Sequence, residues 1–406
     1  MGVEIRPALD AEMEEYRRVA QTALMIAPEL LPPEAMKAVR PDMTLCAFAD
    51  GKIATAYAWW PLKMVLNGGM VAVAGITFVG TLPVFRRQGH LRRIIQKHFQ
   101  VMHEQGRQPL AVLYASQAAI YQRYGYAVVS TRNSYKIEPL HLRFATSMIS
   151  HESLGNLREL GEEEIPKMEE LYQAFIQQRT GYLQRGKAWW LSGPFKPPAR
   201  NEVLCKIVYE EKGQPLGYVI YTIAARNVPR GQPWQQVTIR DLAWLTPSAY
   251  QTIWEHFACM DLAMQIQTLF SPPDDPLPHL LLEPRRLNTE SSDGLLARIV
   301  DVQKVIALRP FQEEGELVFD LKDDLCLWNS GRWQLRSADG QGCLQSTNRA
   351  IEATIPIDTL AMLLFGQISP TQATRMGRMA VADQRVLPKW DRIMATAYRP
   401  FCPDFF

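Results

Sequence analysis

Between residues 86 and 93 the chain reads Arg86-Arg87-Gln88-Gly89-His90-Leu91-Arg92-Arg93, four arginines around one glycine. An apolar run, Val71 to Val79, precedes it, and a stripe at helical spacing follows: Leu91, Ile94, Ile95, Phe99 and Met102. The basic segment is therefore expected at a strand-to-helix turn. Backbone N–H groups at a helix start lack intrahelical acceptors, and the helix dipole makes that end positive. A glycine there lets an anion approach the main chain, and arginines add charge, so a pyrophosphate is a natural guest. A solvated basic helix start is the plainer reading of the same residues. No GxxxxGK(S/T) sequence is present, which excludes a P-loop.

A second group of candidates follows the next apolar strand, Leu110 to Tyr114. Ala115-Ser116-Gln117-Ala118-Ala119-Ile120-Tyr121-Gln122-Arg123-Tyr124-Gly125-Tyr126 offers three phenols. At a reference pKa of ~10 each holds its proton at neutral pH and can act as an acid. Tyr121, Tyr124 and Tyr126 are equally available on the residues alone. The last residues, Arg399 to Phe406, are apolar enough to be tucked in, and they carry two carboxylates, Asp404 and the chain terminus on Phe406.

Three stretches position these groups. The first, to about residue 150, opens with a helix of stripe Met13, Tyr16, Val19, Ala20, Ala23 and Leu24, for which Asp10 is a plausible N-cap. Strands at Leu45–Phe48 and Ile53–Leu62 precede a hairpin turn at Asn67-Gly68-Gly69. The second stretch, roughly 158–285, repeats the order: helix to Ile176, strands Val203–Tyr209, Leu216–Ala224 and Val237–Trp244, then a helix from Tyr250. A duplication is the economical explanation. Its strand-to-helix turn, Leu245 to Tyr250, has neither arginine nor glycine, so the second copy has lost the phosphate-binding device. After the proline-rich Ser271–Pro278, an α+β module carries strands near Glu316, Gly331 and Ala350 and a helix Asp358–Phe365. Leu360, Met362, Leu363 and Leu364 in that helix suit either a core face or a lipid pocket.

The basic turn resembles motif A of the GNAT N-acetyltransferases, Gln/Arg-x-x-Gly-x-Gly/Ala, matched at Arg86 and Gly89, with Leu91 where glycine or alanine is usual. Residues 115–126 resemble the A-S-E-x-x-I-Y-x-R-F-G-Y stretch of the Eis acetyltransferases within that superfamily. Asp275–Leu281, Leu296–Val302 and the final Phe406 are similar to further segments of that family. The resemblance implies an α/β (α+β) fold: two tandem GNAT acetyltransferase-like folds, then a sterol-carrier-protein-like domain. The domains expected are 1–150, active; 151–288, degenerate; and 289–406, which brings the chain end to the active site.

Acetyl-CoA is the implied co-substrate. Its pyrophosphate would sit on Arg86, Arg87, Gln88, Gly89, His90, Leu91 and Arg92, and its pantetheine arm on the backbone of Val79, Gly80 and Thr81. Ser116 and Gln117 would lie at the thiol end, although Gln117 replaces the family's common glutamate. The general acid is then Tyr121 and the base the terminal carboxylate of Phe406. The acceptor would be a primary amine of a small molecule, aminoglycoside-like or another polyamine; a peptide lysine is the alternative. A third reading is a non-catalytic protein that binds lipid or acyl-CoA. Phe405 stands where the family's best-known members carry an acid, and only Glu29 and Glu34 are charged in Ala23–Glu34. A weakly charged amine follows from that. The resemblance also implies a homohexamer.

Composition narrows the field independently. The 406 residues carry 44 Lys+Arg against 42 Asp+Glu, a formal charge of +2, so no global field recruits nucleic acid or an anionic membrane. Hydrophobic residues at 47% and charged residues at 21% describe an ordered globular chain. No run of ~18 apolar residues predicts a membrane span, and neither a leader peptide nor myristoylation is expected from the first residues. Six scattered cysteines and seven histidines without ligand spacing predict free thiols, a cytoplasmic setting and no metal.

Overall fold

The computed structural model describes residues 2–25, 33–145, 155–227, 229 and 231–406. They form two compact units. One comprises Met1–Val129, Leu295–Thr396 and Phe405–Phe406; the other comprises Ser130–Gly294 and Ala397–Asp404.

The first unit holds a seven-stranded sheet and a five-stranded one. The larger begins with β1 (Val3–Arg6), β2 (Cys46–Ala49), β3 (Lys52–Leu66) and β4 (Gly69–Thr81), all antiparallel neighbours. Asn67 and Gly68 take φ of +49° and +94°, the left-handed pair a tight hairpin requires. Helices α1 (Met13–Leu24) and α2 (Pro33–Ala38) lie between β1 and β2 in sequence. Glu12, rather than Asp10, stands at the N-cap position of α1 without a side-chain cap bond to it; its carboxylate instead accepts the Leu9 backbone N–H at 2.8 Å and two Arg6 guanidinium bonds at 2.7 and 2.8 Å. The guanidinium holds the Glu12 carboxyl down to about 2. Asp10 instead opens a 3₁₀ turn.

From β4 the chain crosses through α3 (His90–Gln105) to β5 (Leu110–Leu113), which runs parallel to β4. The stripe Ile94, Ile95, Phe99 and Met102 is buried against Tyr57, Ala74, Ile76, Ala111 and Leu113, the one-sided burial that drives an amphipathic helix onto a sheet. After α4 (Ala118–Gln122) comes β6 (Ala127–Val128). A strand from far along the chain, Leu296–Ile299, lies between β5 and β6 and pairs antiparallel with both. The smaller sheet has the order Gln341–Ser346, Gly331–Ala338, Gly315–Lys322, Ala353–Pro356, Ala380–Val381. The helix Ile357–Phe365 buries Leu360, Leu363 and Leu364 and ends at Gly366, φ +78°.

The second unit repeats the plan of the first. Glu202–Glu211, Gln214–Ala225 and Gln235–Trp244 are antiparallel neighbours; a helix, Pro247–Ala258, then crosses to the parallel strand Ala263–Ser271. Hairpin, crossover helix and parallel strand recur in the same order, which is the duplication read from the sequence. At its centre Arg185 is buried in a charged cluster, donating to Asp241 at 2.6 and 3.1 Å and to Asp404 at 2.8 Å. The Tyr218 hydroxyl adds a bond to Asp241 at 2.7 Å. Removing one member would strand a buried charge, so this cluster fixes the local fold.

Candidate active site

The site is built on the far half of β4. Its ladder to β5 covers only Val73–Leu110, Ala74–Ala111 and Gly75–Val112. Beyond Gly75 the two strands part, leaving main-chain groups of Ile76–Thr81 on that edge with no ladder partner from β5. On the other edge, the register with β3 shifts between Ala56 and Ala58, opposite Thr77–Gly80, and Phe78 takes φ +50°. This is a β-bulge, which bends a strand and re-aims its backbone. Val79, Gly80 and Thr81 follow it immediately. Gly80 is required by packing, since a Cβ there would stand 2.6 Å from the Ala23 Cβ of α1.

The basic segment forms the predicted strand-to-helix turn. Arg86 is spent on its frame, donating from Nε to the Thr81 carbonyl at 3.1 Å and from a terminal nitrogen to the Ala23 carbonyl at 3.2 Å. Arg87 and Gly89 both adopt left-handed backbone, φ +64° and +79°, and Gly89 is the N-cap of α3 with no side-chain cap. A Cβ added at Gly89 would meet nothing within 4 Å. The turn is thus open, with the orphan N–H groups of a sixteen-residue helix behind it. Arg87, Gln88 and Arg92 are exposed around it. His90 is the exception: it is 3% exposed, and neither ring nitrogen has a hydrogen-bond partner among the described residues. Burial lowers its pKa, so the imidazole is neutral.

The equivalent turn of the second unit is closed. Thr246 caps the helix Pro247–Ala258 by accepting the Ala249 N–H on its own hydroxyl at 3.2 Å. A side chain there occupies the place an anion would need.

Tyr121 lies on the short α4, and Tyr124 follows just after the helix ends. It packs on the same core cluster as Val79 and Leu91 and meets the Tyr126 ring edge-on at 5.8 Å. Burial, with a smaller contribution from Tyr124, pushes its phenol up to about 12. Tyr126 is fully enclosed, which makes it a packing residue. Ser116 and Gln117 are exposed in the loop between β5 and α4.

Phe406 reaches the sheet where β4 and β5 part. Its ring stands 3.2 Å from where a Gly75 Cβ would be and 5.5 Å, edge to face, from the Tyr114 ring. Phe405 stacks on the other part of Tyr114, centroids 4.9 Å apart and planes 30° apart. Asp404, the rival carboxylate, is engaged with Arg185 in the second unit. Gly75 and Tyr114 escaped the sequence reading, although a glycine inside an apolar strand is a signal of close approach by another group. Glu29 lies outside the described residues, as does the side chain of Glu34. Among the described residues no group of three His, Cys, Asp or Glu is placed to hold a metal, and no helix is long and apolar enough to cross a membrane.

Comparison with known proteins follows this geometry. A family described as acetyltransferase (GNAT) domain matches residues 4–129, and a second family of the same description matches 181–299. A sterol carrier protein domain matches 302–403. An uncharacterized N-acetyltransferase of Streptomyces avermitilis is 26% identical over 415 residues, covering 100% of this chain and 99% of the relative. N-acetyltransferase Eis of Mycobacterium tuberculosis is 25% identical over 344 residues, 82% of this chain and 81% of Eis. Among solved structures, a GCN5-related N-acetyltransferase from Anabaena variabilis superposes with a TM-score of 0.85 at 24% identity over the whole of both chains. Eis1 from Mycobacterium abscessus gives 0.80 at 22% identity, over 99% of this chain and 100% of Eis1.

Proposed function

The chain belongs to the Eis-type GNAT N-acetyltransferases, and from that premise we propose that it moves the acetyl group of acetyl-CoA onto a primary amine at the parting of β4 and β5. The observation that carries this reading is the open Gly89 turn beside a bulged, unladdered β4 edge, with Phe406 standing at the start of that edge. The pyrophosphate would rest on the N–H groups from Gly89 onward, and Arg87 and Arg92 supply countercharge. The pantetheine arm would complete the hydrogen bonding of Val79, Gly80 and Thr81 as an added strand does.

In the reaction the neutral amine nitrogen attacks the thioester carbonyl carbon, the C–N bond forms and the C–S bond breaks. The nitrogen loses one proton and the sulfur gains one. Tyr121 donates to the departing sulfur, and the Phe406 carboxylate takes the proton from nitrogen. Alignment of two bound reactants supplies several kcal/mol of the barrier, and the acid a further ~10²–10⁴-fold. The reading divides the chain into 1–150, which performs the chemistry, 151–288, a degenerate copy, and 289–406, which supplies the chain end. It includes a homohexamer and a cytoplasmic setting.

The test is Tyr121→Phe in protein whose C-terminus is untagged. Thiol release from acetyl-CoA should fall ~10²–10⁴-fold in kcat, with coenzyme dissociation unchanged. Because burial holds the phenol near 12, it stays protonated and active through the alkaline range; kcat should show no alkaline loss up to pH ~10. Full turnover in Tyr121→Phe removes the assigned acid.

A further inference from the structure

We infer that the acceptor is an arylalkylamine, a primary amine on a short chain ending in an aromatic ring, in preference to a polycation. This rests on the acetyl-transfer reading and names the substrate class of that same site.

Directly paired residues of an antiparallel ladder project from one face of the sheet. Trp60 is paired with Gly75, and Leu62, two residues on, shares its face. On that face the Phe406 ring fills the room left by the missing Gly75 side chain. Trp60 and Phe78 are both half-buried at the margin of the same apolar cluster, beside α1. Phe405, next to Phe406 in the chain, lies stacked on Tyr114 with 68% of its surface exposed. Tyr114, Phe405 and Phe406 therefore make an aromatic group at the chain end, next to the position assigned to the reaction, and the Phe405 ring has most of its area uncovered.

An aromatic ring laid on Phe405 would bury apolar area on both partners and gain the extra attraction of an offset stack. The reacting nitrogen must be neutral to attack, so a ring's attraction for cations cannot hold it. The further ammonium groups of a polycation would find no ion pair at Phe405, where a carboxylate would have held one.

The test compares kcat/KM for thiol release from acetyl-CoA with four acceptors: 2-phenylethylamine, hexylamine, spermidine and an aminoglycoside. 2-Phenylethylamine should exceed the other three by about tenfold or more, the worth of a stacked ring. In Phe405→Leu the advantage over hexylamine should shrink to about one, while coenzyme KM holds; the position is exposed, so the fold is not at risk. Preference for spermidine or the aminoglycoside, equal rates with hexylamine, or an undiminished advantage in Phe405→Leu would each overturn the substrate class. Turnover in those cases leaves acetyl transfer standing. No thiol release with any of the four, coenzyme binding intact, would overturn the transfer reading and this inference together.

Discussion

Gly75 is the position where a single methyl group tests the role of the chain end. A Cβ built there stands 2.5 Å from the Leu62 Cδ1 and 3.2 Å from two ring carbons of Phe406. Carbon atoms rest at ~3.5–4.0 Å. Leu62 can answer by rotating its terminal methyl, but the Phe406 ring must withdraw by roughly 0.3–0.8 Å. In Gly75→Ala, a misplacement of this size should cost about fourfold to fortyfold in kcat, given ~10²-fold for 1 Å. Valine carries its methyls further out, so Gly75→Val should lose about a hundredfold. Overpacking costs ~1–3 kcal/mol of stability, partly offset in the alanine variant by the ~0.5–1 kcal/mol that replacing a strand glycine returns. Both proteins should therefore fold. Coenzyme affinity should hold within about threefold, because Gly80 lies five residues along β4, ~17 Å away at strand rise. The assay is thiol release from acetyl-CoA with an untagged C-terminus, read as kcat and coenzyme KM, beside a thermal melt. The double variant Leu62→Ala with Gly75→Val relieves the first clash and leaves the second, so its activity should stay low. Wild-type kcat in a cooperatively folded Gly75→Val protein would refute the reasoning, since it would show that the Phe406 ring has no required position.

Two further outcomes follow from the same unit. Gly89→Ala should fold with a loss of about 1–2 kcal/mol, because the methyl meets open space and only the left-handed backbone is strained; coenzyme A binding by calorimetry should weaken at least tenfold, and unchanged binding would move the pyrophosphate elsewhere. His98 is buried, bonded to the Tyr57 hydroxyl at 2.8 Å, and pushed down to about 3 by burial. The unfolded chain takes up this proton near pH 6.5 while the folded protein does not. Stability should thus fall as pH drops from 6.5 towards 3, by at most ~1.4 kcal/mol per pH unit. Unfolding free energies from urea titrations at pH 7.5 and 5.0 should differ by about 2 kcal/mol less in His98→Gln than in the wild type, and equal pH dependence would show that the imidazole is protonated in the fold.

The elements that carry chemistry were readable because their signals are local. The Val71–Val79 run became β4, the stripe Leu91–Met102 became α3, and Asn67-Gly68 turned the hairpin between β3 and β4. What stayed hidden depends on partners distant in sequence. Nothing within Leu296–Ile299 says that it will sit between β5 and β6. Asp10 has the chemistry of an N-cap, yet it opens a 3₁₀ turn ahead of α1, and Glu12, bonded twice by Arg6 on β1, stands at the helix start. The bulge opposite Tyr57 arises from register, a property of two strands that neither shows alone. In the second unit the loss of arginine and glycine was visible, while the Thr246 side-chain cap that closes the turn was missed, although Thr246-Pro247 is a local signal for a helix start. Tyr114 and Phe405 belong to the site through ring stacking, which no spacing rule encodes.

The strand Leu296–Ile299 also sets a timetable. Until it arrives, β5 and β6 are unsatisfied edges flanking a gap in the sheet, and an exposed edge is a template for pairing with the wrong chain. Its residues emerge from the ribosome roughly 170 positions after β6, on the order of ten to thirty seconds at ordinary synthesis rates. The seven-stranded sheet of the first unit therefore cannot close as synthesis proceeds from the N-terminus. It waits for a segment made after the whole second repeat, and in that interval its open edges are exposed to mispairing.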